Sequence, residues 1–189
     1  PEVQQRAIYK NNPLIEVVCQ FRYPTILLID AQKPVEFQEE IRREFPDFRE
    51  KRMGFQISQE VAQLIPEEII GSLRSDQKAY EFATLDNNWV ISLTQDFVAL
   101  TNSEYVRWEE FRAKLETPFK ALSKIYAPAA FIRVGLRYKN LIQRSVLGLE
   151  GVEWSELINP VLAGFLSSPQ HSQLIGDTTH ITLLKSDDG

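Results

Sequence analysis

Tyr80-Glu81-Phe82-Ala83-Thr84-Leu85, Asp86-Asn87-Asn88, Trp89-Val90-Ile91-Ser92-Leu93-Thr94, Gln95-Asp96 and Phe97-Val98-Ala99-Leu100-Thr101 follow one another without interruption. The three longer runs are rich in β-branched and aromatic residues, and the polar pieces between them are turn formers. Together they predict a β-meander. Alternation puts Trp89, Ile91 and Leu93 on one face and Val90, Ser92 and Thr94 on the other. Asn102-Ser103 then offers N-cap oxygens to a helix running to Tyr126, and Glu104, Glu109 and Glu110 carry the sign that a helix N-terminus favours. Trp108, Phe111, Leu115, Phe119, Leu122 and Tyr126 step by three or four, an apolar stripe on one side of that helix. Pro118 falls inside the stripe and predicts a kink or a break.

Working outward toward the N-terminus, Leu14 to Tyr23 alternates, with Ile15, Val17, Cys19 and Phe21 on one side and Glu16, Val18, Gln20 and Arg22 on the other. It reads as a half-buried strand. Thr25 to Asp30 reads as a bent continuation or a second short strand. Pro34 opens a helix whose Val35, Phe37, Ile41 and Phe45 share a face, and Pro46 stops it. Met53 to Ser58 is the next expected strand, and 59–79 a long loop. Toward the C-terminus, Phe131 to Asn140 alternates like Leu14–Tyr23, with Ile132, Val134, Leu136 and Tyr138 on one face and Arg133, Gly135, Arg137 and Lys139 on the other. A short bent helix is expected from Glu153 to about Leu166 with Pro160 inside it, and a last strand from His180 to Lys185.

The two alternating strands are related by an offset of 117 residues. Ile15 falls on Ile132, Val17 on Val134, Phe21 on Tyr138 and Arg22 on Lys139. Without a gap, Val35-Glu36-Phe37 then falls on Val152-Glu153-Trp154. A constant offset through strand, loop and helix points to a duplicated strand–helix–meander–helix unit. The expected architecture is α+β: a curved antiparallel sheet with helices on one face, TATA-binding-protein-like or helix-grip-like. Residues 1–128 form the first repeat and 129–189 a truncated second one, the two packed as one domain. The pattern predicts further strands and a closing helix after Gly189.

Asn12-Pro13-Leu14-Ile15-Glu16-Val17-Val18, Val90 to Thr101, Tyr105-Val106-Arg107-Trp108-Glu109-Glu110-Phe111 and Arg133-Val134-Gly135-Leu136-Arg137-Tyr138-Lys139-Asn140 resemble a sporadically distributed bacterial family of proteins of about 250 residues. The resemblance spans essentially the whole chain. It implies a bacterial cytoplasmic protein, and sporadic occurrence implies mobile-element or defence-associated gene neighbourhoods. The family has no established activity, so the resemblance carries no catalytic residues.

Composition narrows the function classes. The chain has 189 residues, a formal charge of −5 and a single cysteine, Cys19. The negative charge disfavours sequence-blind nucleic-acid binding, which needs many cations against phosphates. No apolar run approaches the roughly 20 residues that cross a bilayer, so no membrane partner is expected. A lone cysteine on the apolar side of a strand reads as a core residue and fits a reducing cytoplasm. Glycine-rich phosphate loops, His-Glu-x-x-His and Gly-x-Ser-x-Gly are missing from the sequence. His171, His180, Asp177 and Asp187 match no metal-ligand spacing. The adjacent carboxylates Glu39-Glu40, Glu67-Glu68 and Glu109-Glu110 point about 100° apart on a helix and form no shared acid–base site. No cofactor, metal or catalytic residue is therefore assigned.

The constellation left is a polar sheet face. Glu16, Gln20 and Arg22 come from the first strand, and Arg133, Arg137 and Lys139 from its mate. A pseudo-twofold would bring these strands into related positions and make an anion-, peptide- or nucleic-acid-binding surface. The plainer reading is a solvated face laced with cross-strand ion pairs, Glu16 with Arg133 or Arg137. The leading expectation is a non-enzymatic binding module for another protein or a small ligand, acting through this face or the 59–79 loop. The alternatives are a nucleic-acid or nucleotide binder using the same cations, and an unrecognised hydrolase.

Overall fold

The computed structural model describes residues 13–53 and 77–172. Six strands, β1 (Leu14–Arg22), β2 (Asp47–Met53), β3 (Gln77–Ala83), β4 (Trp89–Leu93), β5 (Phe97–Asn102) and β6 (Arg133–Asn140), make one antiparallel sheet. Their order is β2-β3-β4-β5-β1-β6, and the sheet does not close into a barrel. The β3–β4 turn shows why Asp86-Asn87-Asn88 ends a strand. Asp86 accepts from the Thr84 hydroxyl and the Asn88 amide, and Asn87 takes φ 59°, a left-handed conformation that Asn tolerates. β1 lies between β5 and β6. Cys19 faces Leu100 on one side and Leu136 on the other, and Val17 and Phe21 face Tyr138 and Val134. Cys19 and Leu136 are themselves 117 positions apart, the offset of the two alternating segments.

The chain forms two compact units, Pro1–Leu141 and Ile142–Gly189. In the first, α1 (Leu27–Ala31), α2 (Val35–Ile41) and α3 (Trp108–Ile125) supply the helical side of the core. Phe37, Ile41, Phe111 and Leu122 are buried with Val17, Cys19, Phe82, Ile91, Leu93 and Leu100 from the sheet. Each fully buried Leu, Ile or Phe side chain contributes about 1.5–3 kcal/mol. Aromatic pairs bridge sheet to helix, Phe37 to Phe82 at 5.4 Å and Trp89 to Phe111 at 5.6 Å. Ion pairs join the two helices across their outer sides: Lys114 with Glu44, just past α2, at 2.9 Å, and Lys124 with Glu40 at 2.6 Å.

The described residues of the second unit form four single helical turns, α4 (Arg144–Leu147), α5 (Trp154–Leu157), α6 (Pro160–Ala163) and α7 (Pro169–Ser172), with a 3-10 turn at Gly164–Ser167. Arg144 stacks 4.7 Å over the Trp154 ring and donates to the Val152 carbonyl at 2.8 Å. Among the described residues no helix is long and apolar enough to cross a membrane.

Several local expectations are corrected. The apolar run after Pro24 is the short helix α1, not a strand. Apolar runs of this length suit either element, and the turn buries Ile29. β2 at Asp47–Met53 is a strand that was not expected, and of the expected strand Met53–Ser58 all but Met53 lies outside the described residues. Of the residues from Asp47 to Arg52 only Phe48 is apolar, so alternation there is faint. Of the expected loop 59–79, residues 59–76 lie outside the described residues, and from Gln77 onward the chain is strand. Asn102 and Ser103 do not cap α3. Asn102 ends β5 with its side-chain amide on the Asn88 carbonyl, and α3 starts at Trp108 without a side-chain cap. α3 runs through Pro118 unbroken, with Pro118, Phe111, Ala121 and Leu122 buried. Packing of that stripe outweighs the one backbone bond proline forfeits. The helix expected from Glu153 to Leu166 is broken into α5, α6 and the 3-10 turn, because Pro160 starts a new turn capped by the Asn159 side chain. The expected strand His180–Lys185 lies outside the described residues.

Candidate functional site

Odd-numbered β1 residues such as Val17 and Cys19 are buried against the core, so strand alternation turns Glu16, Val18, Gln20 and Arg22 to the opposite face. Antiparallel register then fixes their company. Glu16 faces Lys139, Val18 faces Arg137, Gln20 faces Gly135 and Arg22 faces Arg133. All six residues singled out in the sequence therefore share one face of two neighbouring strands. β5 adds Phe97, Ala99 and Thr101 beside them, and β4 adds Ser92 opposite Ala99.

This face holds an open trough of about 650 Å³. Ala79, Ser92, Ala99, Val18 and Gly135 make its floor, and Phe97 stands among them. Cations flank it on both sheet edges, Lys51 and Arg52 on β2, and Arg133 and Arg137 on β6. Five inter-strand spacings of roughly 4.8 Å separate those edges along the sheet. Glu16 and Glu81 also line the trough. Its charged lining thus carries four cations against two carboxylates, although the whole chain is acidic.

The ion pairs sort these charges. Arg137 donates to Glu16 at 2.6 Å and Lys51 to Glu81 at 2.7 Å. Arg22 pairs with Asp96 at 2.5 Å, which offsets the repulsion expected of two cations directly opposite, Arg22 and Arg133. Asp96 is held in turn by the Thr94 hydroxyl at 2.9 Å, and the Thr94 carbonyl accepts from the buried Tyr23 hydroxyl at 2.8 Å. Burial, with Asp96 nearby, pushes the Tyr23 phenol well above its ordinary range, so it stays a donor. Among the described residues Arg133 and Lys139 form no ion pair. The plainer expectation of cross-strand pairing thus describes Arg137 and Glu16, and it leaves Arg133 on the trough rim unneutralised.

Gly135 was not singled out by its sequence. A Cβ built there meets no atom within 4 Å, so packing of its surroundings does not require glycine. Lys51 and Arg52 were also missed, because no strand was expected over Asp47–Arg52. The signal available was Asp47, Arg49 and Lys51 alternating around Phe48, which one apolar residue makes too weak to phase.

The remaining chemistry-bearing residues lie elsewhere. Cys19 is buried on the helix-covered face, and desolvation raises its thiol pKa. His171 sits in the second unit, its Nδ1 2.9 Å from the Ser168 hydroxyl. His180, Asp177, Asp187 and the pair Glu67-Glu68 lie outside the described residues. Glu39, Glu40 and Glu110 are each engaged by a different cation, Arg42, Lys124 and Arg107. Among the described residues no group of three or more His, Cys, Asp or Glu is placed to hold a metal ion. No family model matches this chain, and neither a curated protein nor a solved structure does.

Proposed function

We propose that this chain is a binding module that receives an extended segment of another protein, or an elongated small ligand, in the trough on its open sheet face. The trough itself carries the reading. Small side chains floor it, an unforced glycine sits in that floor, and cations stand on both rims. Glycine inside a strand marks a place where another backbone or ligand approaches closely. Arg133, unpaired among the described residues, is the cation best free to meet a carboxylate or phosphate on the occupant, and Arg137 can exchange Glu16 for it. The role is binding without catalysis, in a bacterial cytoplasmic setting as the sequence resemblance implies.

The same local excess of cations favours a second reading, a nucleic-acid or nucleotide binder using Arg22, Arg133, Arg137 and Lys139. Two of those four are already matched by carboxylates, which makes it the weaker one.

A third element of the proposal concerns architecture. The sheet is read as one half of a duplicated, saddle-like structure in which β1 and β6 are equivalent strands. The coincidence of the sequence offset with the Cys19–Leu136 register supports this.

Filling the floor tests the binding role. Gly135→Trp adds bulk where the fold leaves room, so it is expected to keep the wild-type unfolding midpoint. It should also weaken binding of the copurifying ligand, identified by native mass spectrometry, at least tenfold. Unchanged affinity in that variant removes the trough as the site. Binding of DNA or RNA that falls with salt and is lost in Arg133→Ala/Arg137→Ala selects the second reading.

A further inference from the structure

β6 is an edge strand with the character of an interior one. Among the described residues nothing pairs with its outer edge. Ile132, just before it, and Val134, Leu136 and Tyr138 share the side that in β1 is buried, yet they are 65%, 62%, 46% and 44% exposed. Of the four, Tyr138 has an aromatic ring beside it, Tyr105 at 5.7 Å. The strand's charges, Arg133, Arg137 and Lys139, all lie on the opposite face. An exposed apolar side along an edge is a liability that proteins normally cover.

The backbone gives the same message. Tyr23 N–H donates to the Asp96 carbonyl, so alternate β1 residues, Phe21, Cys19 and Val17, direct their backbone groups to β5. Arg22, Gln20 and Val18 then direct theirs to β6, which leaves the amides of Val134, Leu136 and Tyr138 pointing outward. These are the 117-offset mates of Val17, Cys19 and Phe21, the residues that β1 uses to bind β5.

We propose that β6 is an interior strand of the working protein. Its outer edge takes an antiparallel strand equivalent to β5, and a helix equivalent to α3 covers Ile132, Val134, Leu136 and Tyr138. Both belong to a second unit on the same polypeptide, about 117 positions beyond the first. The proposal rests on the duplication reading and not on the ligand reading.

Charge and cover argue for this occupant over a second copy of the chain. Antiparallel pairing of two β6 strands about Leu136 would set Arg133 against Lys139 and crowd like charges on one face. It would also leave both apolar sides without a helix. A β5-like strand instead presents neutral residues, as Phe97, Ala99 and Thr101 do beside β1.

Hydrogen exchange on the complete product of the gene, beside residues 1–189 alone, tests it. In the complete product the Val134, Leu136 and Tyr138 amides should exchange at least about tenfold more slowly than in the shorter chain, independently of protein concentration. Cross-links should place the covering strand about 117 positions after β5. Leu136→Lys should remove that protection while leaving the β3–β5 amides unchanged. A gene product without such a unit, protection that disappears on dilution, or a covering strand from elsewhere overturns the proposal. The Gly135→Trp result is independent of all three, so the two readings fail separately.

Discussion

β1 and β6 are near-copies in pattern and opposites in circumstance. Both alternate apolar and polar residues, and both send the polar set to the open face. β1 is paired along both edges and buries Val17 and Cys19 to 0% and 3% exposure. β6 is paired along one edge, and its equivalent Val134 and Leu136 stay 62% and 46% exposed. The difference shows that alternation encodes which way a side chain points and leaves open what lies above it. Cover comes from α2 and α3, whose Phe37, Ile41, Phe111 and Leu122 are buried in one cluster with Val17 and Cys19, and which join to each other through Glu40, Glu44, Lys114 and Lys124.

The largest expected contrast is between two aspartates. In residues 1–189, Val17→Asp strands an unpaired charge in the core and should cost about 3–5 kcal/mol in urea unfolding, enough to unfold much of the population. Val134→Asp at the equivalent place should change stability by no more than about 0.5 kcal/mol. A comparable loss at both positions would mean that β6 is as covered as β1.

Thiol labelling sharpens the contrast at the one position where the two strands meet their own mates. Cys19 is buried and its pKa is raised by desolvation, so at pH 8 little reactive thiolate is available or accessible. A Cys19→Ala/Leu136→Cys variant places the thiol directly opposite, and it should react with a disulfide reagent at least about a hundredfold faster than Cys19. Equal rates would show that β1 opens as readily as β6 is exposed.

The smallest effect concerns the helical cover. The hydrogen bond from Lys114, helped by Thr117, holds the Glu44 carboxyl below its usual range. A depressed folded pKa stabilises above the unfolded value, near pH 4.3, and the gain is lost as pH falls through the folded pKa. Glu44 is partly exposed and screened, so Glu44→Gln should cost less than about 0.5 kcal/mol at pH 7 and nothing measurable near pH 3. A loss that persists in acid would assign the effect to packing.

Much of the sheet was legible because its signals are local. The Asp86-Asn87-Asn88 turn, the phases of β1, β4, β5 and β6, and the α3 stripe each follow from residues that adjoin in sequence. Failures came where a tertiary contact decided. Asn102 looks like an N-cap and instead reaches the Asn88 carbonyl across a strand pair. Pro118 looks like a helix breaker and is carried through by its buried stripe. β2 carries one core-facing aromatic, Phe48, and is held in place by its ladder with β3. The candidate site divides in the same way. Its β1 and β6 residues could be read from alternation, whereas Lys51 and Arg52 needed the strand order, and Gly135 needed the empty space above it.

By itself, then, the sequence determined side-chain direction, since a strand's two-residue period is a property of its backbone. It also determined the 117-residue offset, which is a comparison of the chain with itself. Only the tertiary structure decided that β1 and β6 are neighbours, that Cys19 meets Leu136, that the two sheet edges flank one trough, and that one of two like strands is covered. Neighbours and cover depend on elements far apart in the chain, and no local pattern specifies them.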